Sequence, residues 1–179
     1  MSELEMRRSA LMQSREAVDW ESIARGMVDG VTEFELTDFP ATMTQNYAFY
    51  MREGLKKVII APTTSLGQAQ FQGCTKLESV EFPNNLQNIQ FSAFSGCGML
   101  TTLTIPASVT TIGQYAFNNC RGLVSVILEP TTPPTISSGS WSNATCNFYV
   151  PDASVNDYKT AANWSNLASR IFPISDLTT

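Results

Sequence analysis

The chain of 179 residues contains no histidine, and its charged residues are few and unevenly placed. Without histidine it lacks the commonest general base, the commonest metal ligand and the usual switch near neutral pH. No acidic residue lies between Glu81 and Glu129, and no basic residue lies between Lys76 and Arg121. The middle of the chain therefore has no charged group that could activate its many serines and threonines. The sequence therefore predicts a protein that is not an enzyme. Two carboxylates that converge in a deep pocket would favour the alternative, an enzyme.

Two further absences limit the partners and the location of the protein. The net charge of −5 and the lack of a basic stripe argue against a nucleic-acid partner, because phosphate binding uses clustered lysine and arginine. No apolar run is long enough for a secretory signal or a membrane span, so membrane insertion is not expected. These absences favour a cytoplasmic or virion-associated protein, unless the native chain begins before Met1.

The four cysteines lack the short paired spacing of a metal site. Cys74, Cys97 and Cys120 are 23 residues apart, and there is no C-x-x-C. Metal ligands and disulfides are the alternatives, but a repeat would stack these residues in one environment, where buried cysteine packs as a small hydrophobic residue. We therefore expect core packing, with no metal and no cofactor. Cys146 lies outside this series, and its state is left open.

The same 23-residue period governs the rest of the middle of the chain. Leucine, proline, an isoleucine pair, Ala-Phe and cysteine fall in step between residues 77–99 and residues 100–122. Residues 31–54 and 55–76 are looser copies, and Trp141 takes the phenylalanine position after Leu123. We therefore predict about four units of 22–24 residues followed by a closing strand at 147–150.

Each unit opens with Leu-x-x-Val/Leu-x-Phe/Ile-Pro, which is typical of a short strand that ends at proline. Stacked units would form a leucine-rich-repeat-like solenoid, with short parallel strands in one sheet and helical or turn segments on the back. We predict three parts: an N-terminal helical cap (1–30), the solenoid (31–150) and a C-terminal helical cap (151–179). The caps would cover the open ends of the stack.

The unit from Leu100 to Cys120, Leu-x-x-Leu-x-Ile-Pro…Val-x-x-Ile-Gly-x-x-Ala-Phe-x-x-Cys, resembles the BspA-type leucine-rich repeats of bacterial surface and adhesion proteins. The resemblance covers roughly residues 31–172. It implies a solenoid, a protein or cell-surface ligand, and a location at the cell surface.

Strand positions that alternate with core positions should point outward from the sheet. Ion pairing between strands and recognition of a partner are both open interpretations of them. Five strands give a face of roughly 240–310 Å² in projection, well below the roughly 800 Å² per partner of a standard stable interface. The candidate binding residues are Glu33, Glu35, Lys57, Ile59, Ser79, Glu81, Thr102, Thr104, Ser125 and Ile127.

The leading hypothesis is thus a non-catalytic binding or adhesion module that uses the solenoid face and edge loops and gains strength from multivalency. The alternative is a structural or assembly protein, encoded by a phage or mobile element, that forms a homo-oligomer through its N-terminal helices. Leu4, Leu11 and Val18 are seven residues apart, but the intervening positions are too polar for a sustained coiled coil.

Overall fold

The computed structural model describes residues 33–35 and 46–178, which wind through successive coils. An inner coil contributes one strand to a broad face, a two-residue strand to another side, and a run of turns. The described residues contain ten strands: β1 (Glu33–Glu35), β2 (Lys57–Ile59), β3 (Ser79–Glu81), β4 (Asn88–Ile89), β5 (Thr102–Ile105), β6 (Thr111–Ile112), β7 (Ser125–Leu128), β8 (Thr135–Ile136), β9 (Asn147–Val150) and β10 (Ile171–Pro173).

Every strand pairing is parallel, and the stacking confirms the predicted repeat solenoid. The structure adds two features to the prediction. The broad face consists of a three-stranded sheet, β1-β2-β3, and a four-stranded sheet, β5-β7-β9-β10, with no strand pairing between β3 and β5. The short strands β4, β6 and β8 form a third sheet on another side of the coils.

The face strands follow the alternation of their residues. In β5, Leu103 and Ile105 are buried, whereas Thr102 and Thr104 are exposed. Pro106 follows directly, and proline cannot donate a hydrogen bond to a continuing ladder. The sequence pattern therefore sets both the inward side and the end of this strand.

A continuous stack of aromatic rings fills the space between coils. The rings of Phe49, Phe71, Phe94 and Phe117 are near-parallel, with centroids 5.2, 5.1 and 5.5 Å apart. Trp141 continues the stack at 4.4 Å from Phe117, as the repeat predicted. Because each ring packs against the ring of the next coil, no coil buries its apolar surface alone.

The segments that carry these aromatics are turns, not the short helical pieces that were also considered. Phe71 donates its backbone N–H to Ala93 of the next coil, and Phe94 donates to Ala116, both at 2.8 Å. Every second backbone N–H in these segments therefore donates to the neighbouring coil, whereas in a helix it would donate to the preceding turn. The backbone φ is positive two residues before each stacked ring, as at Tyr115, and two residues after it, as at Asn119. These two positions let the chain reverse direction on either side of the ring.

The C-terminal segment is helical in short pieces. It contains 3₁₀ helices at Asp152–Ser154, Trp164–Arg170 and Ile174–Thr178, and one α-helix, Val155–Thr160. Strand β10 interrupts them and adds an unpredicted edge strand beside β9. The buried rings of Tyr158 and Trp164 meet edge to face, with centroids 5.2 Å apart.

Side chains of this segment donate to backbone carbonyls of the last coil, where a further coil would otherwise supply backbone N–H groups. The Tyr158 hydroxyl donates to the Pro130 oxygen at 2.8 Å, and Trp164 Nε1 donates to the Pro134 oxygen at 2.7 Å. Capping in this way satisfies groups that would be costly to leave buried and unpaired. Other donors are Ser154, Asn163 and Arg170. The predicted N-terminal cap, residues 1–30, lies outside the described residues, and the three-part division of the chain stays a prediction.

Candidate binding surface

The strand register arranges the predicted face residues in two rows across the coils. In the first row, Glu33 pairs with Lys57 and Lys57 with Ser79, while Thr102 pairs with Ser125. The second row joins residues two positions later on each strand. Its pairs are Glu35–Ile59, Ile59–Glu81 and Thr104–Ile127.

Ion pairs connect the coils of the three-stranded half of the face. Lys57 Nζ lies 2.9 Å from Glu81 Oε1, and Lys56 Nζ lies 3.9 Å from Glu78 Oε1. The Lys57 and Glu81 side chains are 36% and 57% exposed, so solvent screens the attraction. Such a pair contributes about 0–1 kcal/mol to stability. This half of the face is therefore charged, and each of these two lysines is paired with a glutamate of the next coil.

The four-stranded half of the face is uncharged along both rows. Thr102 and Thr104 are exposed, and Ser125 and Ile127 are half-buried. The register extends this half beyond the predicted residues, because Asn147 and Tyr149 lie beside Ser125 and Ile127.

Phe172 of β10 completes the second row beside Tyr149, with ring centroids 6.0 Å apart. A strand at 147–150 is predicted from the sequence, but its outward-pointing residues were not among the predicted binding residues. Alternation within Asn-Phe-Tyr-Val could have identified Asn147 and Tyr149. Phe172 could not be identified in this way, since its strand follows the helical pieces of the cap. The second row thus ends in three adjoining apolar or aromatic residues: Ile127, Tyr149 and Phe172.

An open depression of about 560 Å³ borders the charged half where β2 and β3 end. Its apolar lining includes the half-buried Phe82, whose ring packs edge to face against Phe94 at 5.6 Å. Asn84 and Asn85 supply exposed amides, and Glu81 supplies a carboxylate. These edge residues join the depression to the second row of the face.

The three in-step cysteines are buried and free, and they connect neighbouring coils. The thiols of Cys74, Cys97 and Cys120 donate to backbone oxygens of the preceding coil at 3.1–3.2 Å. Desolvation by burial raises the pKa of Cys74 and Cys120 to about 12. Cys146, left open by the sequence, is also buried and free. Thiols held protonated in this way pack as core groups and are poor nucleophiles.

Residues 33–35 and 46–178 lack the arrangements that a metal site and a membrane-spanning helix require. No group of three or more cysteine, aspartate or glutamate residues comes together there as a metal site would require. No helix in the same part of the chain is long and apolar enough to cross a bilayer.

A model of the BspA type leucine rich repeat region matches residues 42–167 in six copies, which is more than half of the chain. The chain belongs to the BspA-type leucine-rich repeat family. Two solved bacterial structures share the fold. A leucine-rich repeat protein of T. pallidum is 33% identical with a TM-score of 0.55, over 69% of this chain. The pneumococcal vaccine antigen PcpA is 19% identical with a TM-score of 0.56, over 80% of this chain.

The chain spans 54% of the T. pallidum protein and 40% of PcpA, so its BspA-type array corresponds to part of each. No protein of curated function matches the chain. Membership of this family therefore indicates a repeat architecture and a protein of the binding type. Any finer assignment of function depends on the residues of the surface.

Proposed function

We propose that this BspA-type array is a non-catalytic protein-binding module of the adhesion type, and that the four-stranded half of its face contacts the partner. The observation that carries the proposal is the part of the second row in the four-stranded half, which is uncharged and ends in Ile127, Tyr149 and Phe172. Aromatic residues of this kind often supply much of the binding energy of an interface.

The two halves of the face differ in the cost of removing water from them. Covering Lys57 and Glu81 would desolvate both charges, and their attraction need not repay that cost. Covering Thr104 and Tyr149 would desolvate only hydroxyl groups, which a partner can satisfy with hydrogen bonds. The charged half is better suited to setting orientation and encounter rate than to affinity.

The area of the face indicates how tightly one copy can bind. Seven strands about 4.8 Å apart, each with three or four residues of width, give roughly 340–440 Å² in projection. A standard stable interface uses about 800 Å² per partner. A single array therefore binds weakly, and we expect adhesion to depend on several copies acting together. Homo-oligomerisation and display at the cell surface are proposals of the same kind.

Beads that carry many copies of the full chain test this proposal against single copies. We expect wild-type beads to bind cultured epithelial cells, and soluble single chains to compete only weakly. Tyr149→Glu, which places a charge in the uncharged half of the face, should reduce bead binding by about tenfold or more. Thr135→Glu adds the same charge at an exposed position of β8, on the other sheet, and should leave binding unchanged.

Two results would contradict the proposal. One is binding by wild-type beads no greater than that of uncoated beads. The other is equal loss of binding in both variants, which would exclude the uncharged half as the contact. Light scattering on the same preparations shows whether either variant alters the oligomeric state.

A further inference from the structure

A second concavity lies away from the face, where the last coil meets the C-terminal cap. It has a volume of about 330 Å³ and is lined by the turns around Trp141 and by the 3₁₀ helix Trp164–Arg170. No residue of either face row lines it. This volume is at the small end of the range for ligand-binding cavities, so it suits one sugar ring better than a chain segment.

The lining is rich in groups that both donate and accept hydrogen bonds. Hydroxyls come from Ser138 and Ser142, and amides come from Asn143 and Asn166. Arg170 supplies a positive charge, and no carboxylate lines the cavity. Such a set matches a small molecule with several hydroxyls and one negative charge.

The guanidinium of Arg170 is held in a defined position. Its Nη1 donates to the backbone oxygens of Ala144 and Cys146, at 2.8 and 3.2 Å, and its Cζ lies 5.5 Å from the centre of the Phe148 ring. A guanidinium has five N–H donors in a rigid fork, so these contacts leave donors for a ligand carboxylate. Little side-chain entropy would be lost when Arg170 binds such a group.

Trp141 departs from the repeat at this cavity. Among the described coils, four contribute a phenylalanine to the aromatic stack, and the fifth, beside the cavity, contributes the indole of Trp141. Trp141 is among the residues that line the cavity, but its Nε1–H is buried beneath the surface and has no acceptor in the described part of the chain. The neighbouring indole of Trp164 does have one, the Pro134 oxygen. A buried donor without an acceptor is costly, whereas phenylalanine would fill the stack without that cost.

We propose that the cavity binds a single sugar acid, such as a hexuronic acid. Arg170 takes the carboxylate, and the serine and asparagine side chains take the ring hydroxyls. This site is separate from the proposed protein-binding face, so either assignment can fail without the other.

Titration of the full chain with glucuronic and galacturonic acid, followed by heteronuclear NMR, tests the proposal. Glucose and acetate serve as comparison ligands, since each retains only part of the sugar acid. We expect saturable binding of at least one sugar acid, about tenfold tighter than either comparison ligand. Absence of saturable binding, or acetate binding as tightly, would overturn the proposal.

Variants separate a ligand contact from a packing role. Ser142→Ala removes a hydroxyl from the lining, and we expect sugar-acid affinity to fall about tenfold while thermal stability is kept. Asn166→Ala, at an exposed lining position, should also weaken binding. Asn84→Ala removes an equally exposed amide at the distant depression and should change nothing. Unchanged affinity in both lining variants would overturn the assignment.

Discussion

The thiol of Cys97 donates a hydrogen bond to the backbone oxygen of Phe71, 3.2 Å away and one coil earlier. The same contact joins Cys74 to Phe49 and Cys120 to Phe94. The Phe71 oxygen also accepts the backbone N–H of Cys74, at 3.2 Å, so the thiol adds a second hydrogen bond to it, from the next coil. In this array the repeated cysteine is therefore both a core residue and a link between coils.

Cys97→Ala should destabilise the chain by about 2 kcal/mol, through lost burial and the loss of the bond to Phe71. Cys146→Ala removes another buried thiol that makes no such bond between coils, and it should cost about 1 kcal/mol less. Urea unfolding of both variants measures the difference. Equal costs would show that the hydrogen bond between coils contributes nothing.

Alkaline pH should weaken the fold through the buried thiols. Burial raises the pKa of Cys120 to about 12, from 9.0 for an unperturbed thiol. Above pH 9.0 the unfolded chain releases this proton while the folded chain retains it. The stabilisation is therefore complete below that pH and is lost as the pH rises toward 12, by at most about 1.4 kcal/mol per pH unit for each such thiol.

Urea midpoints at about pH 8 and about pH 10.5 check this dependence. Cys120→Ala should lose less stability over that interval than the parent chain, because one ionising group has been removed. A variant with an undiminished pH dependence would argue against burial as its cause.

Two glycines one coil apart make a matched pair for testing how closely the coils approach. A Cβ at Gly122 would contact the backbone oxygen of Gly98 and lie 3.0 Å from that of Leu100. A Cβ at Gly98 would meet no atom within 4 Å. Gly122→Ala should therefore cost about 1–3 kcal/mol by forcing backbone shifts. Gly98→Ala should be close to neutral, and thermal melting of the two variants makes the comparison.

The C-terminal cap can be tested through one hydroxyl. Tyr158→Phe removes the donor to the Pro130 oxygen and leaves that oxygen unpaired, at an expected cost of about 1–2 kcal/mol. Tyr115→Phe removes a hydroxyl from an exposed ring and should stay within about 0.5 kcal/mol of the parent. If chemical denaturation shows the two substitutions to be equal, the bond to Pro130 does not stabilise the cap.

The sequence predicted those parts of the fold that recur with a fixed period. Phe94 and Phe117 are in step with Phe71, and the structure stacks their rings, including the replacement by Trp141. The inward positions of β5 followed from simple alternation. Periodicity predicts these features because the corresponding residue of every repeat lies in the same environment.

The sequence could not predict features that depend on partners outside one unit. Strands of two residues, such as β4 and β6, are too short to show alternation, although Ile89 and Ile112 were recognised as a pair. The turn that contains Ser92 and Phe94 has no local signal that the N–H groups of these two residues bond to the next coil. Phe172 joins the face only because the chain returns to β9 after the cap.

The two candidate sites also differ in how far the sequence could predict them. The outward rows could be derived from strand alternation, up to β7. The cavity at the cap could not, since Asn166 and Arg170 meet Trp141 through the tertiary path of the C-terminal segment. In the sequence, Trp141 was read only as a substitute for phenylalanine, and its unpaired Nε1 is visible only from the surrounding structure.

The near-parallel rings of Phe71, Phe94 and Phe117 make the interior coils interchangeable. Duplicating residues 100–122 in the gene would insert one more coil that mates with its neighbours above and below, while both termini keep their present contacts. Each such insertion would lengthen the molecule by about 4.8 Å. The protein can thus grow by whole coils, whereas an insertion of only part of a coil would move every later ring out of the stack.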